Sequence, residues 1–294
     1  MDVLLKTYGL LNKYWNLERK KIKINKLYLN NVFTIVLLND GSVGSACNPY
    51  FEGTIKKVGL EKDEKKWINN IKKYPLLENL IKKDDKELNN IELSIKVAII
   101  SALSQNFMNK EFLIKKKIIL SRPQDKEYLR LSNIIQDGDI VTLIGFGGLL
   151  QELLKIPYIK KLYISDFDFA QPRVFKMHMD TMKSFDIKIP LNRIRLSSGK
   201  INSELVKKSD VIIFTASTLC NHTLYEILSN VDHCREVIIQ GPSASIYPLE
   251  LFRLGITRIF TTIKKKEILT SIGGRSPEKY DKLDNDYVII YPFK

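Results

Sequence analysis

The stretch "DVIIFTASTLCNHTLYEIL", residues 210–228, passes from an apolar run into a polar segment and then into apolar positions at helical spacing. Four consecutive apolar residues, Val211 to Phe214, bounded by turn formers read as a strand buried on both faces, as in a parallel sheet. Leu224, Ile227 and Leu228 recur at the spacing of one helix face. The segment between them, "TASTLCNHT" (215–223), therefore lies at the carboxyl end of a strand, where open α/β sheets bind their ligands.

The same alternation extends in both directions. "DIVTLIG" (139–145), "KLYISD" (161–166), "EVIIQGPS" (236–243) and "ITRIFTTI" (256–263) are short apolar runs. Helical patterns follow them in "GLLQELLKI" (148–156), "RVFKMHMDTMKSF" (173–185), "YPLELFRLG" (247–255) and "KKEILTSIGG" (265–274). Strand alternating with helix predicts an α/β fold, a Rossmann-like doubly wound parallel sheet, over residues 121–294. Residues 1–120 read as a smaller α+β domain that precedes it. Residues 1–22 are helical in pattern, residues 26–51 read as strands with turns at Asn30-Asn31 and Asp40-Gly41, and residues 61–74 and 89–108 carry helical spacing.

Composition narrows the function classes. The chain has 294 residues, is 44% hydrophobic and carries a formal charge of +14. That length supports a sizeable core in one large or two modest domains. No run of about 18 apolar residues suggests a membrane span, and the N-terminus lacks the pattern of a signal peptide. The expectation is a cytoplasmic protein without a membrane partner. Its basic residues are mostly scattered lysines with no nucleic-acid module or basic stripe, so a solvated surface is the better reading and no nucleic-acid partner is expected. Cys47, Cys220 and Cys234 are odd in number and widely spaced, which argues against a disulfide framework.

The expected site residues lie just after the apolar runs. Gly145, Phe146, Gly147 and Gly148 form "GFGG" between a strand and a helix, where glycine lets backbone N–H groups approach a phosphate or carboxylate. The dinucleotide fingerprint is incomplete, because Leu150 stands at its third glycine. Asp166 and Asp168 follow Gly145 by 21 and 23 residues, a spacing that suits ribose hydroxyls of a nucleotide-type cofactor, S-adenosylmethionine included. A helix cap or a solvated aspartate is the alternative. Arg173 can pair with Asp168 or with a ligand carboxylate. Thr215, Ser217, Thr218, Asn221 and Thr223 gather hydroxyl and amide groups at the same edge. Gly241, Pro242, Ser243 and Ser245 close the next strand, with Tyr247 as a candidate wall. Cys220 and His222 are candidate metal ligands, but a site needs three or four, no other His or Cys is near in sequence, and Cys47 and His178 can join only through the fold. A Cys220 nucleophile with His222 as base lacks an evident orienting group.

"DVIIFTASTLCNHTLYEIL" followed by "VIIQGPSASIYPLELFRLGITRIFTT" (237–262) resembles the Rossmann-like domain of the putative heavy-metal-chelation family. The matching positions are Thr215, Ser217, Asn221, Thr223, Gly241, Pro242, Ser243, Pro248, Phe252 and Gly255, within a span of about 139 to 275. The resemblance implies a Rossmann-like fold with an enolase-N-terminal-like leading domain. "LNDGSVGSACNPY" is similar to a strand of such a domain, which would bring Gly44, Ala46, Asn48 and Pro49 to the cleft between the domains. The family motif does not demand Cys220 or His222, so the resemblance carries no metal role to them.

The first functional reading is a cytoplasmic protein that binds a small molecule, a metal chelate or an anionic metabolite, in the interdomain cleft, with a place in metal-chelator metabolism. The alternative is a transferase-like enzyme using S-adenosylmethionine or a related nucleotide held by the "GFGG" loop and Asp166 or Asp168. The cofactor classes compatible with these residues are such a nucleotide and a divalent metal. The sequence leaves the oligomeric state open, a homo-oligomer included.

Overall fold

The computed structural model describes residues 2–15, 22–29, 33–48, 68–69, 77–125, 130–166, 172–199, 202–263 and 286–293. The leading half holds an antiparallel sheet of β1 (Ile24–Leu29), β2 (Phe33–Leu38), β3 (Val43–Cys47) and β4 (Ile68–Asn69), in the order β3-β2-β1-β4. Asp40 and Gly41 make the expected turn between β2 and β3. Gly41 takes φ +83°, and the Asp40 carboxylate accepts the N–H and hydroxyl of Ser42, both at 2.9 Å. The Asn30-Asn31 turn lies outside the described residues. The helix expected over residues 61–74 is corrected where it is described. Ile68 and Asn69 pair antiparallel with Leu29 and Tyr28, because the free edge of β1 offers backbone partners that an isolated helical turn lacks.

The helix Val3–Trp15 and the helix Asn90–Ser104 belong to this half. Asn89 caps the second helix, accepting from Ile91 and Glu92 N–H at 3.0 Å each, while the Glu92 carboxylate accepts Asn89 N–H at 3.1 Å. This helix is buried along nearly its whole length. Gly44 on β3 lets it approach: a Cβ there would lie 2.0 Å from the Ala98 carbonyl oxygen and 2.2 Å from Ala102 N. The sequence reading placed Gly44 at the cleft; it packs against the helix instead. Ala46, on the same face of β3, is fully buried, and Pro49 lies outside the described residues.

The large sheet has eight strands: β5 (Ile118–Ser121), β6 (Ile140–Ile144), β7 (Lys161–Asp166), β8 (Ile194–Ser198), β9 (Val211–Thr215), β10 (Glu236–Gln240), β11 (Arg258–Ile263) and β12 (Asp286–Pro292). Their order is β5-β12-β11-β10-β9-β6-β7-β8. From β8 to β11 all neighbours are parallel; β12 runs antiparallel to both β11 and β5. The chain moves outward from β6 through β7 and β8, then returns past β6 to β9, β10 and β11. This is a doubly wound order whose switch point lies between β6 and β9.

Alternate residues of the central strands feed two cores. Val211, Ile213 and Ile238 pack with Leu150, Leu153, Leu154 and Met182 on one face. Ile212, Phe214, Val237 and Ile239 face the other way and join a cluster that includes Leu4, Ile95 and Ile99 from the leading half. The leading half thus covers one face of the large sheet, and one hydrophobic cluster spans both halves. Burying that shared surface, at roughly 25 cal/mol per Å² of apolar area, couples their stabilities. Among the described residues no helix is long and apolar enough to cross a membrane.

Candidate functional site

The carboxyl ends of β6, β7, β9 and β10 open into a cavity of about 540 Å³, a size that suits a small ligand. The far wall comes from the leading sheet, through Phe33, Cys47 and Asn48.

The glycine loop after β6 is tied down on both sides. Gly145 N–H donates to the Ser165 carbonyl at 2.7 Å, Phe146 N–H to Asp166 Oδ2 at 2.7 Å, and Leu149 N–H to Gln240 Oε1 at 3.0 Å. Gly145 has φ +87°, and a Cβ there would lie 2.3 Å from Thr215 Oγ1. Both the dihedral and the close approach call for glycine. Asp166 lines the cavity as expected, but one carboxylate oxygen is engaged in holding the loop. Asp168 lies outside the described residues, as do the side chains of Arg173 and His178.

The segment after β9 explains its own composition. Thr215 Oγ1 and Ser217 Oγ share a hydrogen bond of 2.7 Å, and the Thr218 hydroxyl donates to the Thr215 carbonyl at 3.0 Å. Asn221 Oδ1 accepts both the N–H of Thr223 at 3.2 Å and its hydroxyl at 2.6 Å. The Asn-x-Thr pattern is thus an Asx turn leading into the helix Leu224–Leu228. Thr215, Ser217, Asn221 and Thr223 all reach the cavity, as do Gly241 and Pro242 after β10.

Other expected residues are placed elsewhere. Ser243 is fully buried; its Oγ accepts Cys47 N–H at 2.7 Å, so it fastens β3 to the large sheet. The Ser94 hydroxyl supports the same point, donating to the Cys47 carbonyl at 2.9 Å. Tyr247 is fully buried in an aromatic cluster with Tyr14, Phe107 and Phe112 at centroid distances of 5.9, 6.4 and 6.0 Å. It is core, not cavity wall. Cys220 is fully buried, with Sγ 3.9 Å from Ser243 Oγ. Burial pushes its thiol far above the ordinary range, which keeps it protonated and unsuited to nucleophilic attack. His222 has φ +65° and its Nε2 lies 3.0 Å from the Leu88 carbonyl oxygen.

Among the described residues, no three His, Cys, Asp or Glu side chains converge as a metal site. The cavity presents mostly hydroxyl, amide and backbone groups, with Asp166 and Cys47 as the acidic and thiol side chains of its lining. Hydroxyl and amide groups are hydrogen-bond donors and acceptors rather than the soft ligands that a heavy-metal ion favours. The sequence reading missed Phe33, Asn202 and Gln240 as lining residues. Gln240 ends an apolar strand and reads there as a strand residue, because its contacts come from the glycine loop far away in sequence.

His222 lines a second cavity, of about 390 Å³, with Asp2, Asp84, Asp85, Lys86 and Tyr225. Beside it the buried Lys96 ammonium sits 3.1 Å from Asp2 Oδ2 and 2.8 Å from Asp85 Oδ1, and donates to the Lys83 carbonyl at 2.8 Å. Burial raises the Asp85 carboxyl from 3.8 to about 7; Asp2 adds to the rise and Lys96 opposes it. Between these values the folded state holds a proton that the unfolded state has released. Asp85's contribution is therefore full below about pH 4 and is lost as pH rises through about 7. Urea unfolding of wild type and Asp85→Asn should show the wild-type advantage shrinking from about pH 5 to about pH 8. An advantage that grows with pH would mean that attraction to Lys96 outweighs burial.

Residues 131–274 match the family model described as DUF364, putative heavy-metal chelation. No curated protein matches the chain. Two solved structures share its fold across nearly the full length. A DUF364 protein of unknown function from Pyrococcus horikoshii is 19% identical, with a TM-score of 0.63, covering 99% of this chain and 98% of that one. Another, from Desulfitobacterium hafniense, is 16% identical, with a TM-score of 0.53, covering 97% and 99%. At these identities the likeness is one of fold. Residues 131–274 are thus similar to the DUF364 family, described as putative heavy-metal chelation, and the two full-length structural neighbours come from that family.

Proposed function

We propose that the protein binds a small oxygen-rich ligand, a metal chelate or an anionic metabolite, between the leading sheet and the strand ends of the large sheet. The observation that carries this reading is the cavity of about 540 Å³ at the switch point, lined by Thr, Ser, Asn and Gln side chains. Hydroxyl and amide groups of this kind donate to carboxylate or carbonyl oxygens, and Asp166 is the one charged side chain among the described lining residues. The net charge of +14 favours the approach of anions from a distance. The family description, putative heavy-metal chelation, supports a metal as part of what is bound.

The test is calorimetric titration of the metal-free protein. Malonate, oxalate, citrate and iminodiacetate are offered alone and loaded with Ni²⁺, beside Ni²⁺ alone, S-adenosylmethionine, S-adenosylhomocysteine and NAD. The expected result is saturable binding of at least one carboxylate chelator or its nickel complex. Binding of an adenosyl compound with none of the chelators overturns the proposal in favour of a transferase-like enzyme. Binding of bare Ni²⁺ alone also overturns it.

A further inference from the structure

We infer that the cavity contains a specific acceptor subsite, in which the carboxamide Nε2 of Gln240 donates to a carboxylate oxygen of the ligand. This rests on the cavity reading above and names the group that is recognised. Gln240 is 5% exposed and lines the cavity. Its Oε1 accepts Leu149 N–H at 3.0 Å, which fixes which end of the amide is which. Nε2 is then left buried with no acceptor. A buried donor without a partner is costly, so its persistence points to a partner supplied from outside the chain.

The Gly147 backbone lies close beside that amide. A Cβ on Gly147 would stand 2.6 Å from Gln240 Nε2 and 2.9 Å from Thr215 Cγ2. A methyl group there would overlap the amide. Gly148 is open, with nothing within 4 Å of the position a Cβ would take. A carboxylate fits this arrangement: it only accepts, and Gln240 Nε2 offers two N–H donors.

Gln240→Glu keeps the acceptor for Leu149 N–H and replaces the Nε2 donor with an acceptor. Malonate and malonamide are the probes, compared by calorimetry at about pH 8. Wild type should prefer malonate. Gln240→Glu should weaken malonate about tenfold or more and shift the preference toward malonamide. Gly147→Ala, whose backbone can take alanine without a positive φ, is the second variant: its methyl group displaces the Gln240 amide and should weaken malonate without changing any charge. Its thermal midpoint checks folding independently. Malonate binding that maps to the cavity and is unchanged in both variants overturns the subsite and leaves the cavity reading standing. No binding of any carboxylate probe to wild type overturns both.

Discussion

Gly44→Ala is expected to destabilise the protein by about 3 kcal/mol or more, the upper end of what overpacking a core costs. The added methyl would meet backbone atoms: Ala98 O at 2.0 Å and Ala102 N at 2.2 Å. A flexible side chain can swing aside, but a helix backbone moves only with its whole length. The helix Asn90–Ser104 carries Ile95 and Ile99 into the core shared with the large sheet. Lifting it off β3 therefore opens contacts in both halves. Urea unfolding followed by circular dichroism checks this, with a single cooperative transition moved to lower urea. A variant within about 0.5 kcal/mol of wild type would contradict the packing described for Gly44.

Gly145→Ala is expected to abolish ligand binding in the cavity and to cost about 2–4 kcal/mol of stability. Two effects add. The residue sits at φ +87°, where an L side chain is strained, and its Cβ would overlap the Thr215 side chain, with Oγ1 at 2.3 Å. Gly138 supplies the control, at φ +83° with nothing within 4 Å. Gly138→Ala should show the dihedral cost alone, about 1–2 kcal/mol, with binding retained. Thr215→Ala combined with Gly145→Ala should recover part of the stability by removing the overlapping atoms, a coupling that a double-mutant cycle reads directly. Equal costs for the Gly138 and Gly145 variants would show that the approach to Thr215 is not tight.

The sheet was legible where its strands are buried on both faces. β6, β9 and β10 read as near-continuous apolar runs because helices or the leading half cover each side. β8, "IRLSS", is an edge strand with partly exposed residues, and its sequence carries no such run. β5 begins inside the basic "IKKKIIL" (114–120), whose lysines leave too short an apolar run to read as a strand, although β12 pairs with it. The hydroxyl and amide groups after β9 were legible because the strand-end rule places them at the ligand edge. Which of them turn inward was not. Ser243 is one residue past the cavity-lining Pro242, yet it bonds Cys47 of β3. Tyr247 enters an aromatic cluster built with residues from the leading half. Both placements depend on contacts between segments far apart in the chain, which local pattern does not encode.

The most direct test of the cavity reading is an amide-resolved NMR titration of the metal-free protein with malonate and its Ni²⁺ complex. The account predicts perturbations concentrated on three chain segments and the facing wall. These are the "GFGG" loop, Thr215 to Thr223, Gln240 to Gly241, and Phe33, Cys47 and Asn48 opposite them. Perturbations confined to the second cavity around Asp2, Asp85 and His222, or spread without focus over surface lysines, would contradict it.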